Sequence, residues 1–206
     1  LKNYLSYDAS IFGLWYQDRI GEVLGVEDGF IVRKRGNIGD AFIYGVETFA
    51  DWNIRNTFFE QAENYRLNLF VNTAFTNSEY TASGETNVEG NQVEFIPYVN
   101  LKTGLNFGYS NFLAGFQYTY LSKQYTDATN APQDINDNQR GIEGSIPAYG
   151  ILDFSASYSF GKFKLETGVN NLLDNSYFTR RATGYPGPGI IPAQPISWYS
   201  SLQFKF

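Results

Sequence analysis

The fold class this sequence predicts is all-β, a membrane-crossing antiparallel barrel, and three observations predict it. Apolar and polar residues alternate with period two over runs of about ten residues. Leu152, Phe154, Ala156, Tyr158 and Phe160, for example, oppose Asp153, Ser155 and Ser157. Aromatics make up 18% of the 206 residues while the mean hydropathy is only −0.32, as expected of a sheet with one greasy and one wet face. Connections alternate between tight turns and long polar loops, the standing asymmetry of membrane barrels. No run approaches the roughly 18 apolar residues that a transmembrane helix needs.

The first strand is expected over residues 4–16, with Leu5, Tyr7, Ala9, Ile11 and Trp15 on one face. Residues 18–40 carry charge and glycine and read as a long loop whose middle forms a small hairpin. Residues 41–52 form the second strand, Phe42, Tyr44, Val46 and Trp52 outward and Glu47 and Asp51 inward. After a connection over 53–64, the third strand (65–76) sets Tyr65, Leu67, Leu69, Val71, Thr73 and Phe75 against Arg66, Asn68, Asn72 and Thr76. A polar loop (81–92) leads to the fourth strand, 93–109, whose outward face holds Phe95, Val99, Leu101, Leu105 and Phe107. Pro97 lies near its start, where a missing backbone donor is tolerated. Tyr109-Ser110-Asn111 turns into the fifth strand, 112–125, and an Asn/Asp-rich loop fills 126–147.

The last 58 residues, 149–206, hold two strands joined at Gly161-Lys162, a Gly/Pro-rich loop, and a final strand. Trp198, Ser200, Leu202, Phe204 and Phe206 share one face of that strand. The total is about eight strands, and counting back from Phe206 puts all four long loops outside. Trp15, Trp52, Tyr125, Tyr177 and Trp198 are expected at the bilayer interfaces.

Four segments carry a resemblance. Gly168-Val169-Asn170-Asn171-Leu172-Leu173-Asp174-Asn175-Ser176-Tyr177 resembles the penultimate strand of TonB-dependent outer-membrane receptors. Thr179-Arg180-Arg181-Ala182-Thr183-Gly184-Tyr185-Pro186-Gly187-Pro188-Gly189 is similar to the last external loop of ferric citrate and ferric siderophore receptors of the Bacteroidota type. Tyr44-Gly45-Val46-Glu47 resembles a recurrent mid-barrel strand, and Phe206 the aromatic C-terminus read by the barrel assembly machinery. The resemblance implies a 22-stranded barrel in the outer membrane of a Gram-negative bacterium. Residues 1–206 would be its C-terminal part, with the plug domain and earlier strands outside this sequence. It further implies a ferric chelate as transported ligand, energy coupled from the TonB complex through the N-terminal region, and no resident cofactor. Outer-membrane lipid, lipopolysaccharide and the barrel assembly machinery are the other implied partners. Trp198, Leu202, Phe204 and Phe206 would form the assembly signal.

Composition narrows the alternatives. A net charge of −6 and a pI near 4.7 argue against nucleic acid as a partner. The absence of Cys removes disulfides and thiolate chemistry, and the absence of His removes the usual general base, so no enzyme is expected. Leu1 is not a start methionine and no leader pattern follows it, so a fragment of a longer chain is expected. A second reading remains open: eight strands that close alone into a small structural or adhesive barrel with a filled interior.

Candidate ligand residues follow from charge in the external loops. An anionic chelate needs fixed cations, and within the resemblance Arg180 and Arg181 border the ligand vestibule, with Tyr185 beside them. Binding of lipopolysaccharide phosphates, or plain solvation of the loop, is the blander reading and stands ahead of it. Arg33 and Arg35 have the same two readings, with Glu27 and Asp28 near enough to neutralise them; Arg140 is a weaker third candidate. Asp134, Asn136 and Asp137 place oxygen ligands close together, but the glycine and closing glutamate of a helix-loop-helix calcium site are missing. A solvated loop is the expectation there rather than a loop calcium.

Overall fold

The computed structural model describes residues 4–59, 64–133, 141–184 and 187–206. Eight strands run as an antiparallel meander: β1 (Leu5–Glu27), β2 (Phe30–Asn53), β3 (Tyr65–Ser83), β4 (Val99–Tyr109), β5 (Phe112–Leu121), β6 (Tyr149–Phe160), β7 (Phe163–Asn170) and β10 (Ser197–Phe204). A separate hairpin, β8 (Phe178–Ala182) with β9 (Gly189–Pro192), lies within the last long connection. One short helix, α1 (Ile54–Phe58), joins β2 to β3, capped by the Asn53 side chain accepting from Asn56 N at 2.9 Å.

Register carries the alternation from strand to strand across the wall; the shifts, at residues 16–20 of β1 and at Asp40/Ala41 of β2, fall toward the loop end. Ile11 faces Val46, Val46 faces Phe75, Leu69 faces Leu105, Leu105 faces Phe116, Phe116 faces Phe154, and Leu165 faces Leu202. One face of the sheet is therefore continuously apolar, and it is bare: Ile11 is 85% exposed, Trp198 78% and Leu202 62%. Arg66, Asn72, Asn100, Lys102, Asp153, Glu166 and Gln203 occupy the opposite face. Such a sheet is stable only with hydrocarbon on the apolar side. The two end strands, β1 and β10, do not pair with each other, so the eight strands form an arc of a barrel. The alternative of eight strands closed on themselves is not what the sheet adopts.

Aromatic rings border this face at both ends. At the tight-turn end, Tyr65 packs on Tyr109 (4.7 Å), Phe107 on Phe112 (6.4 Å), and Phe163 on both Phe160 (5.6 Å) and Phe204 (5.0 Å). At the loop end Trp15, Phe42 and Tyr44 form a second ladder, with centroids 5.7 and 5.2 Å apart. Tyr177, expected in the belt, instead stacks at 4.8 Å on Tyr149, whose side chain belongs to the polar face.

The structure departs most from expectation above the bilayer. Residues 18–40 are not a loop: β1 and β2 stay paired to Glu27 and Phe30, closing on Asp28-Gly29 with φ of 51° and 80°. Two consecutive left-handed residues make a type I′ turn, whose twist matches that of the strands. The fourth strand starts at Val99 instead of residue 93, and the fifth ends at Leu121 instead of 125. The segments so released fold inward over the long hairpin. Val23, Ile38, Ala41, Ile43, Tyr80, Val88, Val93 and Ala128 form a dry cluster there, with Phe12 and Ile96 packed on it. The barrel wall needs no core of its own, whereas the external layer has one.

Close packing on the polar face depends on paired glycines. Tyr199 lies opposite Gly168, and a Cβ at Gly168 would sit 2.5 Å from its ring. Gly168→Val is expected to eject the Tyr199 ring and cost about 1–3 kcal/mol, read as earlier urea-induced loss of heat-modifiable migration. Tyr199→Ser in the same chain should restore most of the loss; no recovery would mean that the glycine serves the backbone instead.

Candidate functional site

Three long connections and the extended β1–β2 hairpin leave the same end of the sheet, and contacts among their side chains and backbones unite them. Arg33, on β2, donates through Nη1 to Glu22 Oε2 (3.2 Å) and to the Thr126 carbonyl (2.6 Å), and through Nη2 to Thr126 Oγ1 (3.3 Å). Thr126 Oγ1 in turn donates to the Gly144 carbonyl at 2.8 Å, and Ala128 N to the Glu22 carbonyl at 2.8 Å. The long hairpin is thus fastened to the connection between β5 and β6. Asn130 extends that fastening to the connection between β3 and β4, bonding the Gln92 N–H (2.9 Å) and carbonyl (2.8 Å).

Adjacent residues on a strand point to opposite sides, so Arg180 and Arg181 of β8 have different fates. Arg181 is buried. Its Nη1 donates to the Gly141 carbonyl (2.7 Å), its Nε and Nη2 to that of Ser145 (3.1 and 3.0 Å), and its guanidinium lies 5.0 Å over the Phe178 ring. Arg181 therefore clamps the last hairpin onto the neighbouring connection. Arg180 is exposed.

Between these pieces opens a cleft of about 420 Å³, lined among others by Glu22, Arg33, Phe95, Arg180, Arg181 and Thr183. That size falls in the range of small-molecule sites. Three arginines and one glutamate line it, so the cleft is cationic in a chain whose net charge is −6. Of the residues expected from sequence, Arg33, Arg180 and Arg181 meet in it. Arg35 is exposed on β2 and does not line it, while Lys34 takes Glu27 as its ion-pair partner at 3.0 Å. Arg140, Tyr185, Asp134, Asn136 and Asp137 lie outside the described residues.

The sequence reading missed Glu22, Phe95 and a buried triad beneath them. Arg19 Nη1 donates to Tyr80 Oη (2.6 Å) and Glu94 Oε1 (2.7 Å), and Tyr80 Oη donates to Glu94 Oε2 (2.8 Å). A signal for it was present: Glu94 interrupts the apolar run Val93-Glu94-Phe95-Ile96, and a lone carboxylate there needs a buried partner. At the other end of the chain, Trp198, Leu202 and Phe204 share the outward face of β10, with Phe206 5.2 Å from Phe204.

Comparison with known proteins bears on this architecture. The family described as TonB dependent receptor-like, beta-barrel matches residues 1–172. The ferric citrate transporter FecA in its unliganded form superposes with a TM-score of 0.80 at 22% identity, over 100% of this chain and 29% of that one. The ferric yersiniabactin uptake receptor FyuA from Yersinia pestis gives 0.72 at 18% identity, over 100% and 28%. The copper transporter OprC gives 0.70 at 16%, over 100% and 29%. The chain spans less than a third of the length of these relatives. They are transporters and receptors, not enzymes, and their different cargoes show that the shared fold does not fix what is carried.

Proposed function

Since this chain belongs to the TonB-dependent receptor β-barrel family, whose place is the Gram-negative outer membrane, we propose that it is the C-terminal wall of a receptor importing a ferric chelate. The plug domain and the remaining strands would come from the rest of a longer polypeptide, and energy from the TonB complex through that part. The carrying observation is the cationic cleft of Arg33, Arg180 and Arg181 in the external layer. Fixed guanidiniums at the mouth of a polar-lined wall suit capture of an anionic iron complex as cargo.

Within the cleft the three arginines divide the work. Arg33 is held by Glu22 and Thr126, and Arg181 by backbone carbonyls, so both shape the site. Arg180 is the exposed cation that meets the ligand. Arg180→Glu in the full-length receptor is expected to weaken binding of ferric citrate or a ferric siderophore by roughly tenfold or more. Growth on the same chelate as sole iron source should fall with it and should depend on TonB. Unchanged affinity together with less co-purifying lipopolysaccharide would instead assign Arg180 to lipid A phosphates.

A further inference from the structure

We infer that Phe95 is the ligand-facing, specificity-determining residue of the cleft, and that the cargo is an anionic ferric chelate with aromatic donor groups. The inference rests on the proposed import function and narrows its substrate class. Phe95 has φ of 60°, in the left-handed region that a bulky residue rarely adopts. Glycine would hold that turn without strain; a phenylalanine kept there points to a use for its ring. Although the dry cluster lies close by, with Val93 fully buried and Glu94 4% exposed, Phe95 is 42% exposed and lines the cleft.

The backbone leaves this ring little choice of position. Glu94, immediately before it, is fixed by Arg19 and Tyr80, and Phe95 N donates to the Tyr125 carbonyl at 2.9 Å. Gly21 makes room for the triad, because a Cβ there would come within 2.7 Å of Tyr80 Oη and 2.8 Å of Glu94 Oε1. The connection before β4 thus places an aromatic residue in the same cleft that Arg33, Arg180 and Arg181 line, held at its backbone by the triad and the Tyr125 carbonyl. A flat π-face bearing negative charge satisfies both walls, whereas an aliphatic carboxylate complex uses only the cationic one.

The test uses the full-length receptor and two probes of like charge sign, the ferric complex of 2,3-dihydroxybenzoate and ferric citrate. Phe95→Leu keeps apolar bulk without the ring; Phe95→Gly removes the ring and relieves the backbone; Phe95→Trp retains a π-face. The first two are expected to weaken the aryl chelate roughly three- to tenfold and to leave ferric citrate within about twofold. The tryptophan variant should bind the aryl chelate as well as wild type. Equal loss of both probes would make Phe95 a packing residue of the loop, and no loss of either would make its ring irrelevant; each result overturns the inference while import stands. A wild-type receptor that binds neither ferric probe would remove the import reading itself, and the inference with it.

Discussion

Glu94→Ala should loosen the external layer while leaving the barrel wall intact. The carboxylate is 4% exposed, accepts from Arg19 at 2.7 Å and from Tyr80 at 2.8 Å, and joins β1 and β3 to the connection before β4. Removing it leaves a guanidinium and a phenol hydroxyl without their acceptor in a dry cluster. Breaking a buried pair in this way costs about 3–5 kcal/mol. Arg19 is 20% exposed and can partly recover water, which places the expected cost at the lower end. Limited proteolysis should then cut within residues 17–40 and 84–98, while heat-modifiable migration of the barrel persists. Arg19→Met with Glu94→Leu removes both charges and should be cut more slowly than Glu94→Ala alone. If Glu94→Ala is as resistant as wild type, the triad is not what holds the layer.

The same triad gives a pH dependence of defined sign. Tyr80 lies on β3 beyond Phe75, the last residue of that strand paired with β4, and so outside the membrane-spanning part. Burial pushes its hydroxyl well above the ordinary tyrosine range, and the Glu94 carboxylate adds to the rise. The packed layer therefore keeps a proton that the loosened layer releases above about pH 10. Its stability is complete below that value and declines as pH rises further. Alkaline loosening of residues 84–98 should be steep in wild type and absent in Tyr80→Phe, whose smaller baseline stability no longer titrates.

What the sequence made legible follows from where water and lipid are. On the wall, each strand has one lipid face, and hydrocarbon enforces strict alternation; Leu152 to Phe160 and Trp198 to Phe206 could be assigned to their faces directly. The register then agrees pair by pair, as with Phe116 opposite Phe154. Above the bilayer that constraint lapses. Residues 18–40 carry charges on both sides, so the alternation that marks a strand is lost, although the chain stays extended. The Asp28-Gly29 pair was the remaining clue, since it favours the very turn found there. The cleft was half legible for the same reason: exposed arginines announce themselves, but which of two neighbours faces the ligand depends on strand pairing. Arg181 turned to backbone carbonyls and Arg180 to the cleft once β8 paired with β9. Phe95 was assigned to an outward strand face because its neighbours are apolar, and only the observed turn at 94–95 moves it into the site.

Loss of Phe206 is expected to reduce sharply the amount of receptor that reaches the membrane in folded form, without destabilising what does. Its side chain is fully exposed, and among the described residues its ring contact is edge-on to Phe204 at 5.2 Å. Losing that contact costs less than about 1.5 kcal/mol, too little to unfold a barrel wall held by ladders of backbone hydrogen bonds. A large fall in yield must therefore act before the final state, when β10 still has an open edge. Among the described residues that strand pairs with β7 alone, and it displays Trp198, Leu202 and Phe204 on the face that later meets lipid. We propose that these side chains and Phe206 are read together by the barrel assembly machinery, the free edge offering backbone pairing and the aromatic row fixing its register. Phe204→Ala separates the two effects, because Phe204 also packs on Phe163 at 5.0 Å and its loss should lower both yield and stability. The measurements are the fraction of heat-modifiable receptor in outer membranes and the urea midpoint of that fraction. Truncation at Lys205 should lower the first and spare the second. If the inserted fraction is unchanged, recognition does not depend on the terminal ring; if the midpoint falls in step with the yield, Phe206 matters to the folded wall rather than to its assembly.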